Sequence, residues 1–249
     1  MSNYSMTELN SGHPIFVYFH GNKRSRSART RTSTYKRISS LGYHVIAFDY
    51  RGYGDSSGRM TGEKDCVQDS ISVLKYVYEH KGSSPVYFYG HSLGTGVVGS
   101  VVAFLKSKGN ATLTDISLPD GIVLDSAFTS LADAAIKTFP DWVYRILPLH
   151  KITQKLGVEF NSMKNLYGLQ KPMLILHAED DPTVPFNQGK QLAEHLQRQS
   201  PVTFVPFSAG RQLGHNSIYS VEEFAKILNQ MVQLRNVTHS TTGNVNVCS

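Results

Sequence analysis

One pentapeptide, Gly90-His91-Ser92-Leu93-Gly94, constrains this chain more than any other stretch. An apolar run at 85–89 leads into it and a second, at 97–105, leads away. A strand, a very tight turn and a helix fit both flanks. Glycine at both ends of the turn allows a strained backbone and lets the helix pass close to the strand, where side chains would clash. Gly-x-Ser-x-Gly in that setting is a nucleophile elbow, with the serine hydroxyl on its tip. The helix N-terminus beneath offers backbone N–H groups and a positive dipole end to a developing anion. A chance Gly/Ser turn spells the same five letters, so the rest of the chain has to decide.

Short apolar runs recur at 15–19, 43–49, 121–125, 172–177 and 202–207. Helical stretches separate them: one ending near 41, one over 65–81, one over 187–199 and a closing one over 217–235. In the second of these, Val67, Ile71, Leu74 and Val77 fall at helical spacing and give it one apolar face. Buried strands alternating with amphipathic helices specify an α/β fold, a mostly parallel sheet covered on both faces. Such sheets carry their sites at the C-terminal ends of the strands. Asn22, Ser92, Asp181 and His215 all lie just past such ends.

The chain of 249 residues, 40% hydrophobic, is long enough for one domain with a real core. We expect a disordered N-terminus over 1–12, the domain over 13–235 and a disordered tail over 236–249. Residues 128–170 differ from the rest, with short helical pieces broken by Pro140 and Pro148, and read as a helical lid inserted into the domain. The two cysteines, Cys66 and Cys248, suggest neither a disulfide framework nor a zinc site. No run approaches the roughly 18 apolar residues of a membrane span. Residues 1–10 lack the apolar core of a signal peptide. The expected location is therefore cytoplasmic, or peripheral on an intracellular membrane.

A serine hydroxyl is a poor nucleophile at neutral pH and needs a base, itself oriented by an acid. Asp181 and His215 follow Ser92 in the order serine, acid, base. Asp180 is a neighbouring rival, although Pro182 and Val184 set the turn so that Asp181 faces inward. Asp125, at the end of the fourth strand, is a second rival for the acid. His20, His91 and His177 also sit at strand ends. The first two are expected to shape the loops beside the nucleophile and the third to pack in the core. The oxyanion needs two donors: the N–H of Leu93, directly after the serine, and the N–H of Asn22, in the loop after the first strand. This chemistry requires no metal and no organic cofactor.

Several blocks together carry a family resemblance: His20-Gly21-Asn22, the run 48–56, Gly90-His91-Ser92-Leu93-Gly94-Thr95-Gly96, and above all 174–186. Over about residues 13–235 the chain resembles the α/β-hydrolase-domain family of lipid hydrolases. The resemblance implies a serine hydrolase acting on lysophospholipids, notably lysophosphatidylserine, and on monoacylglycerols. It also puts Ser92, Asp181 and His215 on the family's triad positions.

Two departures stand out. The family carries a membrane anchor and an N-terminal segment that supplies the first two strands of its sheet, whereas the first strand here begins at position 15. The expectation is a shortened, less stable form in which the strand at 43–49 is an open edge. The second departure is the loop after Asn22, where relatives have small, Gly-rich residues and this chain has Lys23, Arg24, Arg26, Arg29 and Arg31. That cluster reads either as a solvated basic face or as a pocket rim that attracts anionic head groups or an anionic membrane, with Arg24 and Arg26 as contacts. No nucleic-acid motif accompanies the net charge of +6, so nucleic acid is not an expected partner. Phe139, Trp142, Ile146 and Leu147 are expected either to line an acyl-chain pocket or simply to pack the insert onto the domain. The expected reaction is hydrolysis of a lipid ester by acyl transfer. A small ester, amide or peptide substrate, and a catalytically silent binding protein, remain the alternatives.

Overall fold

Apolar runs of five or six residues without alternation suit strands that are covered on both faces, and the structure uses them so. The computed structural model describes residues 9–108, 116–135 and 149–240. Six strands form one sheet: β1 (Ile15–Phe19), β2 (His44–Ala47), β3 (Val86–His91), β4 (Gly121–Asp125), β5 (Met173–Ala178) and β6 (Val202–Phe207), in the order β2-β1-β3-β4-β5-β6. Every pairing is parallel. Parallel neighbours need long crossovers, which helices supply: α1 (Arg29–Ser39), α2 (Glu63–His80), α3 (Leu93–Lys108), α4 (Leu131–Ala135), α5 (Leu149–Lys155), α6 (Ser162–Leu166), α7 (Phe186–Leu196) and α8 (Phe224–Ser240).

Successive strand residues point to opposite faces, which divides the core in two. Ile15, Val17, Phe19, Phe88, Ile122, Leu124 and Ile175 meet Leu74 and Val77 of α2, Val97 and Val101 of α3, and Leu192 and Leu196 of α7. Phe16, Tyr18, Tyr87, Tyr89, Val123 and Leu174 meet Ile38 of α1 and Phe224, Leu228 and Met231 of α8. On this second face the register pairs Phe16 with Tyr87 and Tyr18 with Tyr89, and their rings stack at 5.1 and 5.0 Å. Ring pairs of this kind add roughly 0.5–1.5 kcal/mol each beyond their buried area.

Some boundaries differ from the sequence expectation. The second strand spans only His44–Ala47, lies at one outer edge of the sheet and is half-buried throughout. β6 forms the other edge. The closing segment is not one helix: a 3-10 turn at Ile218–Ser220 and an extended Val221 precede α8, which then runs to Ser240, into the stretch expected to be disordered. Ile218, Val221, Phe224 and Leu228 are all buried, so the apolar spacing of a continuous helix persists across the break. Residues 9–12 are also not loose. Leu9 is buried, its carbonyl accepts from Ser84 Oγ at 2.7 Å, and the Gly12 N–H donates to the same hydroxyl at 3.0 Å. Residues 128–170, expected to form a lid, show short helices at α4, α5 and α6, while Phe139, Trp142, Ile146 and Leu147 lie outside the described residues. Among the described residues no helix is long and apolar enough to cross a membrane.

Candidate active site

β3 ends at His91, and the next residue, Ser92, has φ 54°. That left-handed conformation costs a side-chain-bearing residue about 1–2 kcal/mol. The flanking glycines are there for space. A Cβ on Gly90 would lie 2.7 Å from the Gly94 carbonyl oxygen, and one on Gly94 would lie 1.9 Å from the Phe19 carbonyl oxygen. Gly94→Ala therefore drives α3 off β1 and is expected to destabilise the protein by roughly 3 kcal/mol, the upper end of overpacking costs, as a denaturant melt would show. The turn is pinned from both sides: the Ser92 N–H donates to the Asp125 carbonyl at 2.9 Å, and the Ser92 carbonyl accepts from the Thr95 N–H at 2.8 Å.

Ser92 Oγ lies 2.9 Å from Nε2 of His215, and His215 Nδ1 lies 2.7 Å from Oδ2 of Asp181. A carboxylate only accepts, so the Nδ1 proton points at Asp181 and the Nε2 lone pair faces the serine hydroxyl. Asp181 is held by the turn after β5, where its Oδ1 accepts the Thr183 and Val184 N–H groups at 2.8 and 2.9 Å. Burial alone would raise this carboxyl. Hydrogen bonds from His177 and His215, with the Val184 amide, outweigh burial and hold it well below the usual carboxylate range. Asp181 is thus a fixed anion.

The rival acids are placed elsewhere. Asp125 Oδ2 accepts from the Tyr89 hydroxyl at 2.8 Å, and Asp180 Oδ2 accepts the Gly214 N–H at 3.0 Å. Asp180 thereby anchors the loop that carries His215. His91 does the same from the nucleophile's side, donating Nε2–H to the His215 carbonyl at 3.0 Å. Burial lowers the His91 pKa, which keeps the ring neutral and its single proton available for that bond. His177 donates to the Val184 carbonyl at 3.1 Å, within the Asp181 turn. The histidines beside the nucleophile do shape its loops, and the buried His177 also braces the acid.

The opposite wall of the site is the turn after β1. A Cβ on Gly21 would lie 3.1 Å from Ser92 Cβ, so this turn abuts the nucleophile. Among the described residues neither the Asn22 nor the Leu93 N–H has an acceptor; the latter opens α3. Asn22 Oδ1 accepts from the Lys23 N–H and from the Tyr53 hydroxyl, both at 2.8 Å.

The basic cluster is not one face. Arg26 is committed to Asp49 and Asp55, with Nη1 2.7 Å from Asp49 Oδ2, so its charge is neutralised within the protein rather than held out to a head group. Arg31 is buried, with its guanidinium on backbone carbonyls. Arg24 is exposed, as are Lys23 and Arg29. Arg31 was expected in a basic face or pocket rim and is instead buried, and its spacing with Thr34 and Ile38 marks the buried face of α1. Among the described residues no group of three His, Cys, Asp or Glu side chains is placed to hold a metal ion.

Comparison with known proteins bears on this arrangement. Residues 13–163 match the family model described as serine aminopeptidase, S33, a segment that includes Asn22, Ser92 and Leu93. The lysophosphatidylserine lipase ABHD12 of Rattus norvegicus is 38% identical over 236 residues, which cover 90% of this chain and 57% of that protein. Protein ABHD12B of Homo sapiens is 39% identical over 191 residues, 75% of this chain and 51% of that protein. The chain thus spans little more than half the length of these relatives. Among solved structures, the Pyrococcus furiosus esterase Pf2001 superposes with a TM-score of 0.67 at 18% identity, covering 90% of this chain and 84% of that one. Esterase B from Lactobacillus rhamnosis also reaches 0.67, at 14% identity over 94% of this chain and 78% of that one, and the likeness to both is one of fold.

Proposed function

This chain belongs to the serine aminopeptidase S33 family of α/β-hydrolases, and on that premise we propose that it hydrolyses the ester bond of a lysophospholipid such as lysophosphatidylserine, with monoacylglycerol as a second lipid ester. The observation that carries the reading is the hydrogen-bonded row from Ser92 through His215 to Asp181. His215 Nε2 takes the Ser92 proton as Oγ attacks the ester carbonyl carbon. The tetrahedral oxyanion is held by the Leu93 and Asn22 N–H groups. His215 then returns the proton to the departing glycerol oxygen, which leaves an acyl-serine. A water deprotonated by the same nitrogen attacks that acyl carbon, and the fatty acid and free serine are restored. Asp181 fixes the tautomer and stabilises the imidazolium that forms in each half.

The lipid substrate is supported by the relatives that bear the name lysophosphatidylserine lipase. Lys23 and Arg24, directly after Asn22, and Arg29, at the start of α1, are exposed. Near an anionic membrane each contributes about 1 kcal/mol of attraction, which would favour an enzyme that meets its substrate at such a surface. The test is incubation of the purified protein with lysophosphatidylserine in mixed micelles, alongside fluorophosphonate labelling mapped by mass spectrometry. Fatty-acid release together with label on Ser92 is expected. Folded protein that takes no label, or turnover confined to aminoacyl amides or acetate esters, would overturn the reading.

A further inference from the structure

Arg31 is the one member of the basic cluster that is buried, at 6% exposure, and its partners are unusual for a guanidinium. Nη2 donates to the carbonyls of Gly21 at 2.8 Å, Asn22 at 3.3 Å and Lys23 at 2.8 Å, and Nη1 donates to the Ser25 carbonyl at 2.7 Å. None of these acceptors is a carboxylate. The planar fork of an arginine can span several carbonyls at once, which a lysine ammonium cannot do with the same fixed geometry.

The Gly21–Asn22 peptide is trans, so its C=O and N–H point in opposite directions. Whatever fixes the Gly21 oxygen therefore aims the Asn22 N–H. Two donors fix that oxygen: Arg31 Nη2 and His20 Nδ1, both at 2.8 Å. Gly21 itself abuts Ser92. We propose that Arg31 is a positioning residue for the reaction, holding the Asn22 N–H toward the oxyanion and placing behind it a positive charge that no carboxylate contacts directly. This rests on the ester-hydrolase reading above. Burial is the main cause that pushes His20 down to about 4 and lowers His91; the Arg31 charge adds to it at both rings, against Asp49 at His20 and Asp125 at His91. To an anion forming at the Asn22 amide the Arg31 contribution has the favourable sign.

Arg31→Lys and Arg31→Ala test this, with concentrations counted per folded molecule by circular dichroism. Loss of a whole oxyanion donor lowers kcat by about 10²–10³-fold. Mis-aiming one is expected to lower kcat by roughly 10–100-fold in Arg31→Ala and less in Arg31→Lys, with KM within about twofold of wild type. Added guanidinium should partly restore kcat in Arg31→Ala and leave wild type unchanged, which a loss of folded protein alone would not do. A readout independent of turnover is the Asn22 amide resonance in the resting protein, which should shift and exchange faster with solvent in both variants. An unmoved Asn22 amide, or wild-type kcat per folded molecule in both variants, would sink the proposal. Failure of the underlying reading shows separately, as wild-type protein that neither hydrolyses the lipid nor takes label on Ser92.

Discussion

Ser92→Ala is expected to lower kcat by about 10⁶-fold, the scale on which loss of a triad serine acts, while the protein stays folded. The nucleophilic oxygen is removed, and His215 Nε2 loses its partner at 2.9 Å. What remains is the pull of the oxyanion donors and substrate binding, worth about 10³–10⁴-fold over water. The fold should not register the change, because alanine keeps the Cβ and pays the same left-handed backbone cost at φ 54°. Ser92→Gly makes the contrast informative. It should be equally inactive yet more stable by about 1 kcal/mol, since glycine relieves that strain. Opposite effects on activity and stability at one position mark a conformation kept for function. Turnover of lysophosphatidylserine and a thermal melt of both variants check this, and substantial turnover by folded Ser92→Ala would refute the assignment.

Asp181→Asn is expected to cost about 10⁴-fold in kcat, by turning the base the wrong way round. The Thr183 and Val184 N–H groups need an acceptor at the Oδ1 position, so the carboxamide must keep its oxygen there. Its NH2 then replaces Oδ2, 2.7 Å from His215 Nδ1. A donor at that place forces the ring proton onto Nε2, where it points at Ser92 Oγ and cannot accept the serine proton. Asp125→Asn should cost far less, because that carboxylate meets the Tyr89 hydroxyl and not His215. Equal losses in the two variants would contradict Asp181 as the acid.

The placement of Ser92, Asp181 and His215 was legible because each follows an apolar run, and a parallel sheet gathers the ends of such runs at one edge. The close contacts of Gly90 and Gly94 were legible for the same reason that the motif exists: a strand and a helix cannot approach so closely with side chains between them. Arg31 was not legible. A run of cations shows its charge but not its partners, and here Arg26 goes to carboxylates while Arg31 turns inward to carbonyls. The closing segment misled through periodicity, because Ile218, Val221 and Phe224 keep a helical spacing although the backbone at Val221 is extended. Leu9 could not be placed from the polar stretch around it; its side chain joins the core and its carbonyl is held by Ser84, far along the chain.

The base follows the last strand of the sheet. β6 pairs with β5 on one side only, several of its residues are half-exposed, and Pro206 supplies no N–H to the ladder. Edge strands with half-exposed residues open at a lower free energy than the core around them. Opening of β6 is expected to loosen the loop that carries His215, against its anchors on His91 and Asp180, while the nucleophile stays seated on the central β3. Heating should therefore silence turnover while the signal of the aromatic core is still native, and amide exchange over 202–216 should outpace exchange over 86–91. The temperature at which this protein stops working would then report how well one outer strand stays docked, a quantity that evolution or engineering can adjust without touching Ser92.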